Sequence, residues 1–83
     1  MNLTAETREA IDTAVKATVA LRDFVAEAVE DAGLDMALMT HLMRERDLAI
    51  IDAVRSYRVN EGRESEERIT GLLDRIRDRA LNI

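Results

Sequence analysis

The sequence predicts an all-α fold, an antiparallel helical hairpin followed by a third helix, a three-helix bundle expected to be dimeric. Three observations predict it. Apolar residues recur at steps of three and four along three separate stretches. Glycines at 33 and 62 punctuate those stretches, and the 83 residues contain no proline. The apolar palette is Ala, Leu, Ile, Val and Met, with Phe24 and Tyr57 the only aromatics, which suits helix packing rather than sheets.

The first helix is expected over 4–32. Thr4 is placed to cap it, with Glu6 in the first turn. Its stripe reads Leu3, Ile11, Ala14, Val15, Thr18, Leu21, Val25, Ala28, Val29 and Ala32. Many of these are small and permit close approach of another helix. Gly33 reads as the left-handed residue closing the helix, with Leu34 folding back on Val29. Asp35 can cap the next helix at once. So short a connection forces an antiparallel hairpin, with facing residue numbers summing to about 66.

The second helix is expected over 35–60, with the stripe Met36, Met39, Leu42, Met43, Ala49, Ile50, Ala53, Val54 and Tyr57. Leu48 and Ile51 lie opposite by the 100° rule, so this helix should touch two neighbours. The stretch Glu61-Gly62-Arg63-Glu64 reads as a break, and Ser65 as the cap of a third helix over 65–81. The third stripe is the cleanest: Ile69, Leu72, Leu73, Ile76, Ala80 and Ile83, flanked by Arg68, Arg75, Arg77 and Arg79. Those arginines are expected to dock on the acids Glu6, Glu9, Asp12 and Glu27 of the first helix. Gly71 falls on the outer face, where packing does not explain it.

One domain at most fits in 83 residues, and so small a core gains from association. The absence of cysteine excludes disulfides, thiolate catalysis and cysteine zinc sites, and fits a reducing cytosol. No apolar run approaches the roughly 18 residues of a membrane span, and no basic stretch precedes an apolar one at the start. The expectation is a soluble cytoplasmic protein without a targeting segment, of bacterial or phage origin.

The net charge is −5, and residues 1–32 carry seven acids against three bases. That balance argues against wrapping a nucleic acid and leaves basic proteins open as partners. Eleven of the twelve basic residues are arginine. A GC-rich genome accounts for that bias more simply than selection for bidentate anion contacts does.

The search for chemistry yields little. His41 and Glu45 stand four apart, but two ligands make no metal site, and a solvent-facing histidine is the simpler reading. No glycine-rich phosphate loop occurs, and the hydroxyls of the first helix have no nearby histidine. Catalysis, cofactor and metal are therefore not expected. Arg22 and Arg46 should fall near one level of the hairpin, with Glu45 and Asp47 nearby. They form a candidate polar belt, or else snorkel out to pair at the rim.

The functional reading is a small acidic protein-binding module, a regulator, inhibitor or assembly factor acting through apolar helix faces. The expected partner-binding residues are Leu48, Ile51, Leu72, Ile76 and Ile83, which should build a homodimer, and Met36 and Met39 of an adaptable Met-lined surface. The alternative is a nucleic-acid-associated regulator using the arginines of a dimer, and a third is an intersubunit metal or anion site.

Overall fold

A computed structural model describes residues 3–31, 33–61 and 66–83. Among them the chain is all helix: α1 (Ala5–Asp31), α2 (Met36–Glu61) and α3 (Glu66–Leu81). Gly62 and Ser65, read above as a stop and a cap, lie outside the described residues, as does Ala32. The molecule is a rod of 45 × 23 × 22 Å.

The two predicted caps that can be seen are made. The Thr7 amide donates to Thr4 Oγ1 at 3.2 Å, and the Leu38 amide to an Asp35 carboxylate oxygen at 3.0 Å. Each satisfies a donor that a helix start leaves without an intrahelical partner. The end of α1 differs from expectation. The Gly33 amide donates to the carbonyl of Ala28, five residues back, at 3.2 Å. Gly33 therefore makes the outer bond of a Schellman-type closure, one position later than predicted. Its φ lies outside the left-handed region, and an added Cβ would meet only the Asp31 carbonyl, at 3.9 Å. Leu34 and Val29, expected to touch, are both exposed.

α1 and α2 pack antiparallel through a seam of small residues. Ala10, Ala14 and Ala53 are buried, the last two completely. Thr7, also fully buried, donates from Oγ1 to the Ser56 carbonyl at 3.4 Å and accepts from Thr4 Oγ1 at 3.0 Å. A register centred on the turn would set Val59 opposite Thr7. The hydroxyl contact falls instead on Ser56, three residues nearer the tip.

α3 lies along the open side of this hairpin and packs mainly on α1. Leu72, Ile76 and Ala80 are buried with Ile11, Val15 and Tyr57. Arg79 reaches Asp12 at 2.8 Å, one of the four acids expected to receive an α3 arginine. Leu3 and Tyr57 line a common hollow with Arg68, Gly71 and Leu72. The start of α3 thus sits beside the start of α1, and the two run parallel.

Lengths then decide what is covered. α1 has 27 residues and α3 only 16. At 1.5 Å per residue α3 spans about 24 Å against about 40 Å for α1. The hairpin tip therefore has no third layer. Leu21 is buried as expected, but Val25 and Met43 are exposed, and Leu42, Ile50 and Val54 are half-buried. The seam of Leu21, Val25, Leu42, Met43, Ile50 and Val54, expected to be buried, is so only at Leu21, because α3 stops before reaching Val25 and Met43 and packs little on α2.

Two stability outcomes follow. Leu72→Ala should cost about 2–4 kcal/mol and Leu42→Ala about half as much, by urea titration. The reverse order would contradict the short reach of α3. Gly71→Ala, where an added Cβ meets nothing within 4 Å, should stabilise the helix by about 0.5–1 kcal/mol. Gly33→Ala should be neutral or stabilising, whereas a left-handed glycine would lose more than about 1 kcal/mol.

Candidate functional site: an open groove between two helices

α2 and α3 both pack against α1 but scarcely against each other. Between them runs a groove of about 470 Å³, lined by Ile50, Ile51, Val54, Arg55, Arg58, Val59 and Leu73. Its origin is visible in the pattern of α2. Leu48, Ile51, Arg55 and Val59 recur at steps of three and four on the face turned away from α1. Ile51 is 51% exposed, Val59 75% and Leu48 52%. Leu73 contributes from the α3 side and is partly exposed.

The groove has an apolar wall and a basic edge. Both charged residues in its lining are arginines. Such a surface can bury aliphatic side chains and offer two guanidinium groups to carboxylates at the rim. It holds no nucleophile, and no acid–base pair stands in it.

The predicted site residues are therefore divided. Leu48 and Ile51 are exposed on the outer face of α2, where the sequence put them. Leu72 and Ile76 are buried in the chain's own core and are not available to a partner. The stripe of α3 that was expected to serve both roles turns its centre inward and leaves Leu73 at the groove. Ile83 is exposed at the end of the chain, beyond α3. Met36 is exposed and Met39 half-buried, both near the tip.

The candidate polar belt resolves into separate contacts. Arg22 pairs with Asp23 at 2.9 Å, and Arg46 with Asp47 at 3.0 Å, each with its own sequence neighbour. Glu45 is exposed and takes part in neither pair. Arg22 does something more: its Nη1 donates to the carbonyl of Ala80 at 2.5 Å. That carbonyl belongs to the last turn of α3, where backbone acceptors lack helical partners. Arg22 thus ties the end of α3 to the middle of α1.

His41 is exposed on α2. Among the described residues no three His, Cys, Asp or Glu side chains converge as metal ligands would. Nor, among these residues, is any helix long and apolar enough to cross a membrane.

Sequence reading missed Val59, Leu73 and the two groove arginines as one surface. The signal was present for Val59, which continues the Leu48, Ile51 and Arg55 spacing. Arg55 masked it by interrupting the apolar run. Thr7 was missed although its spacing to Ile11 and Ala14 puts it on the α1 stripe, where Thr18 was counted.

No protein-family model matches this chain, and neither a curated protein nor a solved structure shows significant similarity to it.

The two arginines should respond differently to truncation. Arg22→Met removes a charged hydrogen bond to the Ala80 carbonyl, which then keeps only a long bond from the Ile83 amide at 3.5 Å, and should cost about 1 kcal/mol, since the side chain is partly exposed. Arg46→Met should stay within about 0.5 kcal/mol of wild type, because its surface pair is worth little. A loss above about 3 kcal/mol at Arg46 would restore the polar-belt reading.

Proposed function

We propose that this chain is a small protein-binding module, a regulator, inhibitor or assembly factor without catalytic chemistry, and that it self-associates through the α2–α3 groove. The observation that carries this reading is the groove itself. Ile51, Val59 and Leu73 stand exposed side by side in a molecule whose own core is thin. Burying apolar surface is worth roughly 25 cal/mol per Å², so covering this face supplies stability that the monomer lacks.

A two-fold pairing satisfies the charges as well. When α2 lies antiparallel to α2 of a second copy with Leu48 opposite Val59, Asp52 comes opposite Arg55. Symmetry makes this ion pair twice. The dimer seam then has the two Asp52–Arg55 pairs beside the two-fold axis, Leu48, Ile51 and Val59 around them, Leu73 at one side and Arg58 toward the rim. Leu72 and Ile76 remain in the core of each subunit. A cytoplasmic setting fits the cysteine-free composition.

Sedimentation equilibrium at micromolar concentration tests the reading. The wild type should run at twice the chain mass of 9.4 kDa. Ile51→Glu with Leu73→Glu should run as a monomer with unchanged helical circular dichroism. A wild-type monomer that binds no hydrophobic dye would overturn both the dimer and the binding-surface reading. A monomer that binds the dye would reject self-association and leave the groove to a different protein.

A further inference from the structure

A hollow of about 240 Å³ opens where α1 and α3 begin, on the flank of α3 away from the α2–α3 groove. Leu3, Tyr57 and Leu72, none of them exposed, make its apolar floor, and the exposed Arg68, Gly71 and Arg75 make its rim on α3. Gly71 and Arg75 stand two residues either side of Leu73, which puts them across the helix from the groove.

Gly71 keeps the hollow open. Glycine weakens a helix interior, and packing gives this one no reason, since an added Cβ would meet nothing within 4 Å. A longer side chain here would lie across the mouth of the hollow.

Tyr57 leaves a polar group without a partner. It belongs to the core cluster and is only 5% exposed. Yet its hydroxyl makes no hydrogen bond among the described residues. Buried polar groups in folded proteins are hydrogen-bonded, so the partner of this phenol comes from the hollow that Tyr57 lines.

The charges select that partner. Arg75 joins no ion pair among the described residues. On α1 the line facing α3 runs Thr4, Arg8, Ile11, Val15 and Arg22, at steps of three, four and seven. Arg79 pairs with Asp12, and four residues back along both parallel helices Arg75 comes level with Arg8. Two guanidinium groups at one level call for an anion. The nearby acids are turned elsewhere: Asp12 to Arg79, and Asp74 and Asp78 to Arg77. Glu6 and Glu9 lie off the line of α1 that faces α3.

We propose that this hollow binds a small organic carboxylate with an apolar body the size of a phenyl ring. The body rests on Leu3, Leu72 and the ring of Tyr57. The carboxylate accepts from the Tyr57 hydroxyl and from Arg75, with Arg68 completing the positive rim. An apolar cavity of about 150 Å³ holds benzene, so the hollow has room for a ring and its acid group. The site is separate from the α2–α3 groove and does not depend on the dimer.

The test titrates the full chain, carrying labelled Leu and Ile methyl groups, with phenylacetate, 2-phenylethanol and acetate at neutral pH. The alcohol keeps the ring without the charge, and acetate keeps the charge without the ring. Phenylacetate should shift the Leu3 and Leu72 methyl resonances saturably, leave Ile51 unmoved and bind at least about tenfold tighter than either control. Tyr57→Phe should weaken that binding about fivefold or more, yet leave the free protein as stable as wild type or more so, because the lost hydroxyl has no partner in the chain. Arg75→Gln should weaken binding by a similar factor. Gly71→Leu should abolish it while circular dichroism is unchanged. Absence of saturable shifts would overturn the proposal, as would equal binding of the alcohol or of acetate, or full binding by the Gly71→Leu chain. Shifts at Ile51 in place of Leu3 and Leu72 would overturn it too, and would assign the ligand to the α2–α3 groove.

Discussion

Small side chains where α1 meets α2 set the geometry on which the other contacts depend. Ala10, Ala14 and Ala53 let the two backbones approach, and Thr7 can then reach the Ser56 carbonyl with a short side chain. The hydroxyl is fully buried, so it must have partners: Thr4 supplies one at the start of α1, and the Ser56 carbonyl supplies the other only in this register. Close approach also narrows the hairpin and leaves a shallow trough on one side. Ile11, Val15 and Tyr57 rise into that trough, and Leu72, Ile76 and Ala80 of α3 fill it. Larger residues at the alanine positions would push α1 and α2 apart and remove the seat of α3.

The same economy explains why so much apolar surface stays outside. A helix in a three-helix bundle normally has two neighbours. α1 has both along its first five turns, and α2 has one good neighbour and one glancing one. α3 is too short to do more. The tip is left open by the mismatch in helix length, and the groove by the slight packing of α3 on α2. Arginines edge the groove.

Much of this was legible in the residues. Periodicity and composition are enough for three helices, and the capping side chains Thr4 and Asp35 act as their chemistry requires. The outward Leu48 and Ile51 follow from the 100° rule alone. What could not be read was how far α3 reaches, because a stripe gives the face of a helix but not its axial position. Val25 and Met43 therefore belonged to the expected core although α3 does not cover them. The central residues of α3 failed as interface candidates for a related reason: an apolar stripe is equally suited to a core and to a partner, and only packing decides. Gly33 shows a third limit. A glycine after a helix signals its end, yet not which position of the closing turn it fills, and the φ of Gly33 itself lies outside the left-handed region.

The contact of Arg22 with Ala80 has a further consequence. α1 and α3 point the same way and α2 points the opposite way, so the peptide dipoles of only two helices oppose each other along the rod. That of α3 is left over, and its negative end emerges not at the tip of the molecule but against the middle of α1. An isolated guanidinium there would be a liability on an apolar helix face. Placed on the carbonyl of Ala80, it neutralises the partial charge that the last turn of α3 accumulates. The charge that interrupts the apolar stripe of α1 is thereby the counterion of the third helix.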